Sequence, residues 1–115
     1  MKYLLLYPGP EHFSQVVDLD HAITIDDLYF LLDCKSLDFF SHDRYYVVCD
    51  DTAAFYRPIN LLASLYFGRE LYGSVLVGLL HDPDLPFSDP DLYPLTCLDI
   101  ADMRYMFRRL YFSQI

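Results

Sequence analysis

The sequence predicts an α+β domain: a mostly antiparallel sheet of about four to five strands, a short mid-chain helix and a C-terminal helix, in one unit spanning residues 1–115. Three observations predict it. Short, dense apolar runs at 2–7, 44–49 and 72–80 are closed by Pro, Gly or Asp turns and are too brief for buried helices. Two Thr-x-x-Asp caps, Thr24 with Asp27 and Thr96 with Asp99, open stretches of helical periodicity. The connections between the apolar runs are mostly of hairpin length, which leaves little room for parallel crossovers.

KYLLLY (2–7) is nearly continuous in apolar residues and stops at PGP, as a strand buried on both faces does. FSQVVDLD (13–20) follows as its hairpin partner across PGPEH. Ile25, Leu28, Leu31 and Leu32 recur at helical spacing behind Thr24, so a helix covers 25–34, with Asp26 and Asp27 at the positive end of its dipole. Leu37 to Phe40 is a short extended piece, RYYVVC (44–49) a strand, and Asp50-Asp51-Thr52 a turn. AAFYRPIN (53–60) is expected to return as a strand, with Pro58 at its end. LLASLYFGRELYG (61–73) fits a short helix or a loop equally well. In YGSVLVGLL (72–80), Gly73 and Gly78 point to a bulge or to close backbone approach. The last helix runs over 96–112, with Ile100, Met103, Met106, Phe107 and Leu110 on its apolar side and Arg108-Arg109 near its negative end.

Composition sets bounds on function. At 54% hydrophobic and 17% aromatic, with 11 Tyr and 9 Phe, the 115 residues hold more apolar side chains than a core of this size hides. Some tyrosines are therefore expected at an interface or on the surface. The formal net charge is −9, and all but Glu11 and Glu70 of the 17 acidic residues are Asp. Direct binding of nucleic acid through a basic patch is excluded on charge, because phosphate neutralisation needs clustered Lys and Arg. Cys34, Cys49 and Cys97 are odd in number and widely spaced, as small buried thiols of a reducing compartment are. The YLLLY run after Met1-Lys2 is too short for a secretory signal, and no apolar stretch is long enough to span a membrane. A cytoplasmic protein of a bacterial host is expected, with no membrane partner.

The order of MKYLLLYPG, ITIDDLYFLLDC with LDFF, RYYVVCDD with RPIN, YGSVLVGLL and TCLDIADM resembles the DUF3846 family. That domain family of unknown function is common on phages, plasmids and conjugative elements of gut bacteria. Asn60 after a proline-containing strand end, Gly73 opening a late strand and the Thr96–Asp99 cap match its pattern. The family often has Asn-Arg where this chain has Asn60-Leu61, and its Gly after the first helix is missing here. The resemblance implies a mobile-element accessory protein and supplies no catalytic residues.

No motif with a reaction mechanism is present. His12, His21, His42 and His81 are scattered, without HExxH or zinc spacing, so no metal or cofactor is expected. Ser74 lies in a strand pattern without a GxSxG elbow, and nothing beside Cys34 or Cys49 would lower a thiol pKa. The acidic run HDPDLPFSDPDLYP (81–94) opens like a calcium loop but lacks the Gly turn and the closing Glu. It is expected to be a proline-stiffened crossing in which Asp82, Asp84, Asp89 and Asp91 face outward and Phe87 and Tyr93 serve as apolar anchors. Asp18, Asp20, Asp26 and Asp27 extend that face. The expected function is non-enzymatic. An acidic protein of phage or mobile-element origin would inhibit a nuclease or CRISPR effector of the host by occupying its basic nucleic-acid channel. The alternatives are a small accessory domain that self-associates or binds a protein partner without mimicry, and a small thiol- or metal-dependent hydrolase.

Overall fold

The computed structural model describes residues 1–9, 13–81 and 91–113. Five strands form one antiparallel sheet: β1 Lys2–Leu6, β2 Ser14–Asp18, β3 Leu37–His42, β4 Tyr45–Asp50 and β5 Val75–Leu79. Their order across the sheet is β2-β1-β5-β4-β3. Three helices accompany it: α1 Ile25–Leu32, α2 Leu61–Phe67 and α3 Cys97–Ser113. The expected α+β architecture is present, with helices on both faces of the sheet.

The inner strands explain why the sequence shows dense apolar runs rather than alternation. Tyr3 and Leu5 of β1 point to one face, with Val48 of β4 and Leu76 of β5, and pack against Leu28 and Leu32 of α1. Leu4, Leu6, Val47, Val75 and Val77 point to the other face and meet Leu62 and Phe67 of α2 and Ile100, Met103 and Phe107 of α3. A strand buried on both faces needs apolar residues at every position. An aromatic cluster packs on the α2/α3 side. Tyr66 stacks on Phe107 at 5.0 Å between centroids, and Phe40 meets Phe67 edge-on at 5.9 Å.

Both caps form as the sequence predicts. The Thr24 hydroxyl accepts from Asp27 N at 3.1 Å while Asp27 accepts from Thr24 N at 3.0 Å. Thr96 and Asp99 repeat the exchange at 3.1 and 3.0 Å. The α1 helix ends at Leu32, two residues before the predicted end, and Asp33 caps it in left-handed conformation at φ 50°.

Residues 53–60 do not form the expected strand. Ala53–Phe55 is a turn of 3₁₀ helix, and only Ile59 pairs with Tyr72 in an isolated bridge. The cause is local. The Asp50 carboxylate accepts from Thr52 N at 2.9 Å, from the Thr52 hydroxyl at 3.0 Å and from the Tyr56 hydroxyl, and these bonds curl the chain back. Strand β3, Leu37–His42, is longer than the extended piece expected there. It joins β4 through a two-residue turn in which Asp43 adopts φ 56°.

The ambiguous stretch after Asn60 is helical because Asn60 caps it. Asn60, 1% exposed, accepts from Ala63 N at 3.3 Å and donates to Leu6 O at 3.2 Å and Gly73 O at 3.0 Å. One side chain thus joins the end of β1, the start of α2 and the approach to β5. Gly78 is the close approach the sequence predicts: a Cβ there would lie 2.6 Å from Tyr93 O. On α3, Met106 turns out of the apolar side to which it was assigned and is 40% exposed.

Candidate functional site

Strand register carries the acidic residues to one end of the sheet. Lys2, at the start of β1, lies opposite Asp18 at the end of β2 and forms a bridge with Leu95. Leu79, at the end of β5, exchanges hydrogen bonds with Tyr93 at 2.7 and 2.9 Å. Asp18, Asp91 and the ends of β1, β2 and β5 therefore share one end. The segment between β2 and α1 is fastened there too, since Leu19 N donates to Met1 O at 2.9 Å and Ile23 N to the Tyr3 hydroxyl at 3.3 Å. This brings Asp20, Asp26 and Asp27 to the same end, and Leu92 packs in one cluster with Ile23 and Leu28.

His21 organises the acids. Its Nδ1 lies 2.7 Å from Asp20 and its Nε2 2.8 Å from Asp27, so the imidazole bridges two carboxylates. The hydrogen bonds to Asp20 and then to Asp27 raise the His21 pKa above the ordinary value. Asp20 is held below the usual carboxylate range by the same His21 bond. Asp27 is held down first by the Thr24 backbone N–H and then by His21. Of the nearby cations, the Met1 ammonium is bound to Asp18 and Leu19 O, Arg44 to buried Asp99, and the Lys2 ammonium lies 3.8 Å from Cys97 Sγ. Asp20 and Asp26 remain exposed. What this end presents outward is carboxylate.

The predicted set divides in three. Asp18, Asp20, Asp26, Asp27 and Asp91 are brought to one end, but Asp91 does not face outward as expected: its Oδ1 is buried without a hydrogen-bond partner among the described residues. Asp82, Asp84, Phe87 and Asp89 lie outside the described residues, though His81 and Asp91, which flank them, belong to this end. Tyr93 does not stand outward as an apolar anchor: it is 4% exposed, pinned by its backbone to Leu79, with its ring edge-on to His81 at 6.2 Å. The pairing with Leu79 turns it inward.

The opposite end of the sheet holds a feature the sequence reading missed. Asp50, 8% exposed, borders a shallow cleft of about 210 Å³ lined by Asp38, Cys49, Asp51, Arg69 and Tyr72. Burial pushes its carboxyl up, but the bonds from Tyr56 and Thr52 outweigh that and hold it below the usual range. The local signal was the run Asp50-Asp51-Thr52, an Asx-type turn whose side chain curls the following residues. Cys49 beside it is raised to about 11, chiefly by burial, and burial also raises Cys34. Thiols held this way stay protonated near neutral pH and are poor nucleophiles. Among the described residues, no group of three His, Cys, Asp or Glu side chains could hold a metal ion, and no helix is long and apolar enough to cross a membrane.

Large apolar side chains stand exposed elsewhere, among them Phe30 at 84% and Phe55 at 88%. Compared with protein-family models, with curated proteins and with solved structures, the chain matches none.

Proposed function

We infer that this protein works by binding rather than by catalysis, as an acidic inhibitor that occupies the basic channel of a nucleic-acid-binding defence protein, a nuclease or a CRISPR effector. One observation carries the reading: Asp18, Asp20, Asp26, Asp27 and Asp91 gather at one end of the sheet while the nearby cations are bound to the chain's own groups. Carboxylates held on a rigid frame meet the arginines and lysines that otherwise bind phosphates, and they steer association over a Debye length of about 10 Å.

The test is inhibition of DNA cleavage by a panel of RNA-guided nucleases and restriction enzymes, measured against salt. Asp20, Asp26 and Asp91 are replaced together by Asn, leaving the α1 cap at Asp27 intact. Inhibition of at least one enzyme, weakened about tenfold or more by the triple change and by added salt, is the expected result. An inhibitor whose potency ignores both the substitutions and salt refutes occupation of a basic channel by this end.

A further inference from the structure

We propose that α3 is the dimer interface of this protein and pairs antiparallel with α3 of a second copy. The helix is apolar on two opposite sides. Ile100, Met103 and Phe107 are buried against the sheet. On the other side stand Leu98, Tyr105 and Phe112, exposed by 70%, 62% and 60%. These three are seven residues apart, two helical turns, so they form one stripe of about 10 Å between successive members. At about 100° per residue successive members are offset by about 20° and the three span about 40°, diametrically opposite the Met103–Phe107 side.

The stripe is its own complement. A two-fold axis perpendicular to the helix at Tyr105 sets Tyr105 against its copy and Leu98 against Phe112 of the copy, because both lie seven residues from the axis. Asp102 lies three residues before Tyr105, about 4.5 Å along the helix, and Arg109 lies four after it, about 6 Å. Both sit on the same flank of the stripe. In the antiparallel pair, Asp102 therefore comes within about 1.5 Å, along the axis, of the level of Arg109 on the copy, and the contact occurs twice. Arg109 already leans over the Tyr105 ring, 5.9 Å from its centroid. A parallel two-fold pair would instead set this flank against the opposite one, so Asp102 would not meet Arg109, and Arg109 would approach Arg108 of the copy. Ala101, exposed on the other flank, leaves room for close approach of the backbones. The occupant is thus a second copy of this chain, chosen by charge complementarity along a symmetric stripe.

A single helix pair buries less than a standard interface, so dissociation in the micromolar range follows. Sedimentation equilibrium on the full chain reads it, with the fold of each variant checked by circular dichroism. The wild type should pass from monomer to dimer between about 1 and 100 µM. Tyr105→Asp, which sets two carboxylates on the axis, should weaken the dimer at least about tenfold. D102R and R109D should each weaken it several-fold, whereas the double exchange D102R/R109D should restore affinity to within about threefold of wild type. That recovery does not follow if either residue matters only for helix stability. A wild type that stays monomeric to about 100 µM overturns the proposal, even if the stripe captures a different protein. So does a dimer indifferent to Tyr105→Asp, or a double exchange that fails to recover.

Discussion

Substitution of Asn60 isolates a single side chain that joins three elements. Its two donated bonds reach Leu6 O and Gly73 O, and its accepted bond caps α2 at Ala63 N. At 1% exposure, no water replaces them. Each donated bond contributes about 1 kcal/mol and the cap about 1 kcal/mol, so Asn60→Ala should cost about 3 kcal/mol. For a domain of this size that is a fall in Tm of about 12 °C. Asn60→Ser keeps a capping oxygen and should cost about 2 kcal/mol. Asn60→Asp adds a pH signature. It keeps the cap but turns a second oxygen toward two carbonyls, which raises the folded pKa of the new carboxyl above the unfolded value of about 3.9. The folded state then binds the proton more tightly, so the variant's deficit is smallest below about pH 4 and grows as pH rises through the raised folded pKa. Chemical denaturation of the three variants from pH 4 to 8 measures all of this. A cost below about 1 kcal/mol for Ala, or a flat pH profile for Asp, would refute the role assigned to this amide.

Two further outcomes follow from the geometry. The bridge of His21 between Asp20 and Asp27 contributes stability that is complete below about pH 6.5 and fades as pH rises through the raised His21 value. The lowered Asp20 and Asp27 values set the acid limit, below about pH 4, so the Tm-against-pH curve of His21→Gln should differ from wild type mainly between those limits; coincident curves would dismiss the bridge. Gly78→Ala puts a methyl 2.6 Å from Tyr93 O, which cannot retreat without losing its 2.7 Å bond from Leu79 N. A loss of about 2–3 kcal/mol is expected by denaturant titration, and a neutral effect would mean that the 91–95 strip does not dock there.

Elements governed by neighbours in sequence were legible. The caps at Thr24 and Thr96 need only a residue three positions away, and the dense runs of β1 and β5 follow from burial on two faces. Elements governed by distant partners were not. The helix after Asn60 depends on a cap braced by Leu6 and Gly73. One local element was missed as well: the residues after Ala53 have strand-like composition, but the Asp50 carboxylate curls them through Thr52 and Tyr56. The acidity of the candidate site was plain in composition, yet its gathering at one end required the register of β1 with β2 and of Leu79 with Tyr93. Tyr93 was misplaced for the same reason. The outer stripe of α3 was readable from the spacing of Leu98, Tyr105 and Phe112, but the inner stripe already accounted for the helix.

The paired hydrogen bonds between Leu79 and Tyr93 also bear on how this protein can change over generations. They hold Tyr93 against the end of β5, so the residues on either side of the intervening segment are fixed to each other. Lengthening a closed loop is inexpensive, with a doubling adding only about 0.6 kcal/mol of closure entropy. Insertions between these two fixed residues therefore cost the fold little closure entropy. At this one place a lineage has room to vary the length of its chain without rebuilding its core.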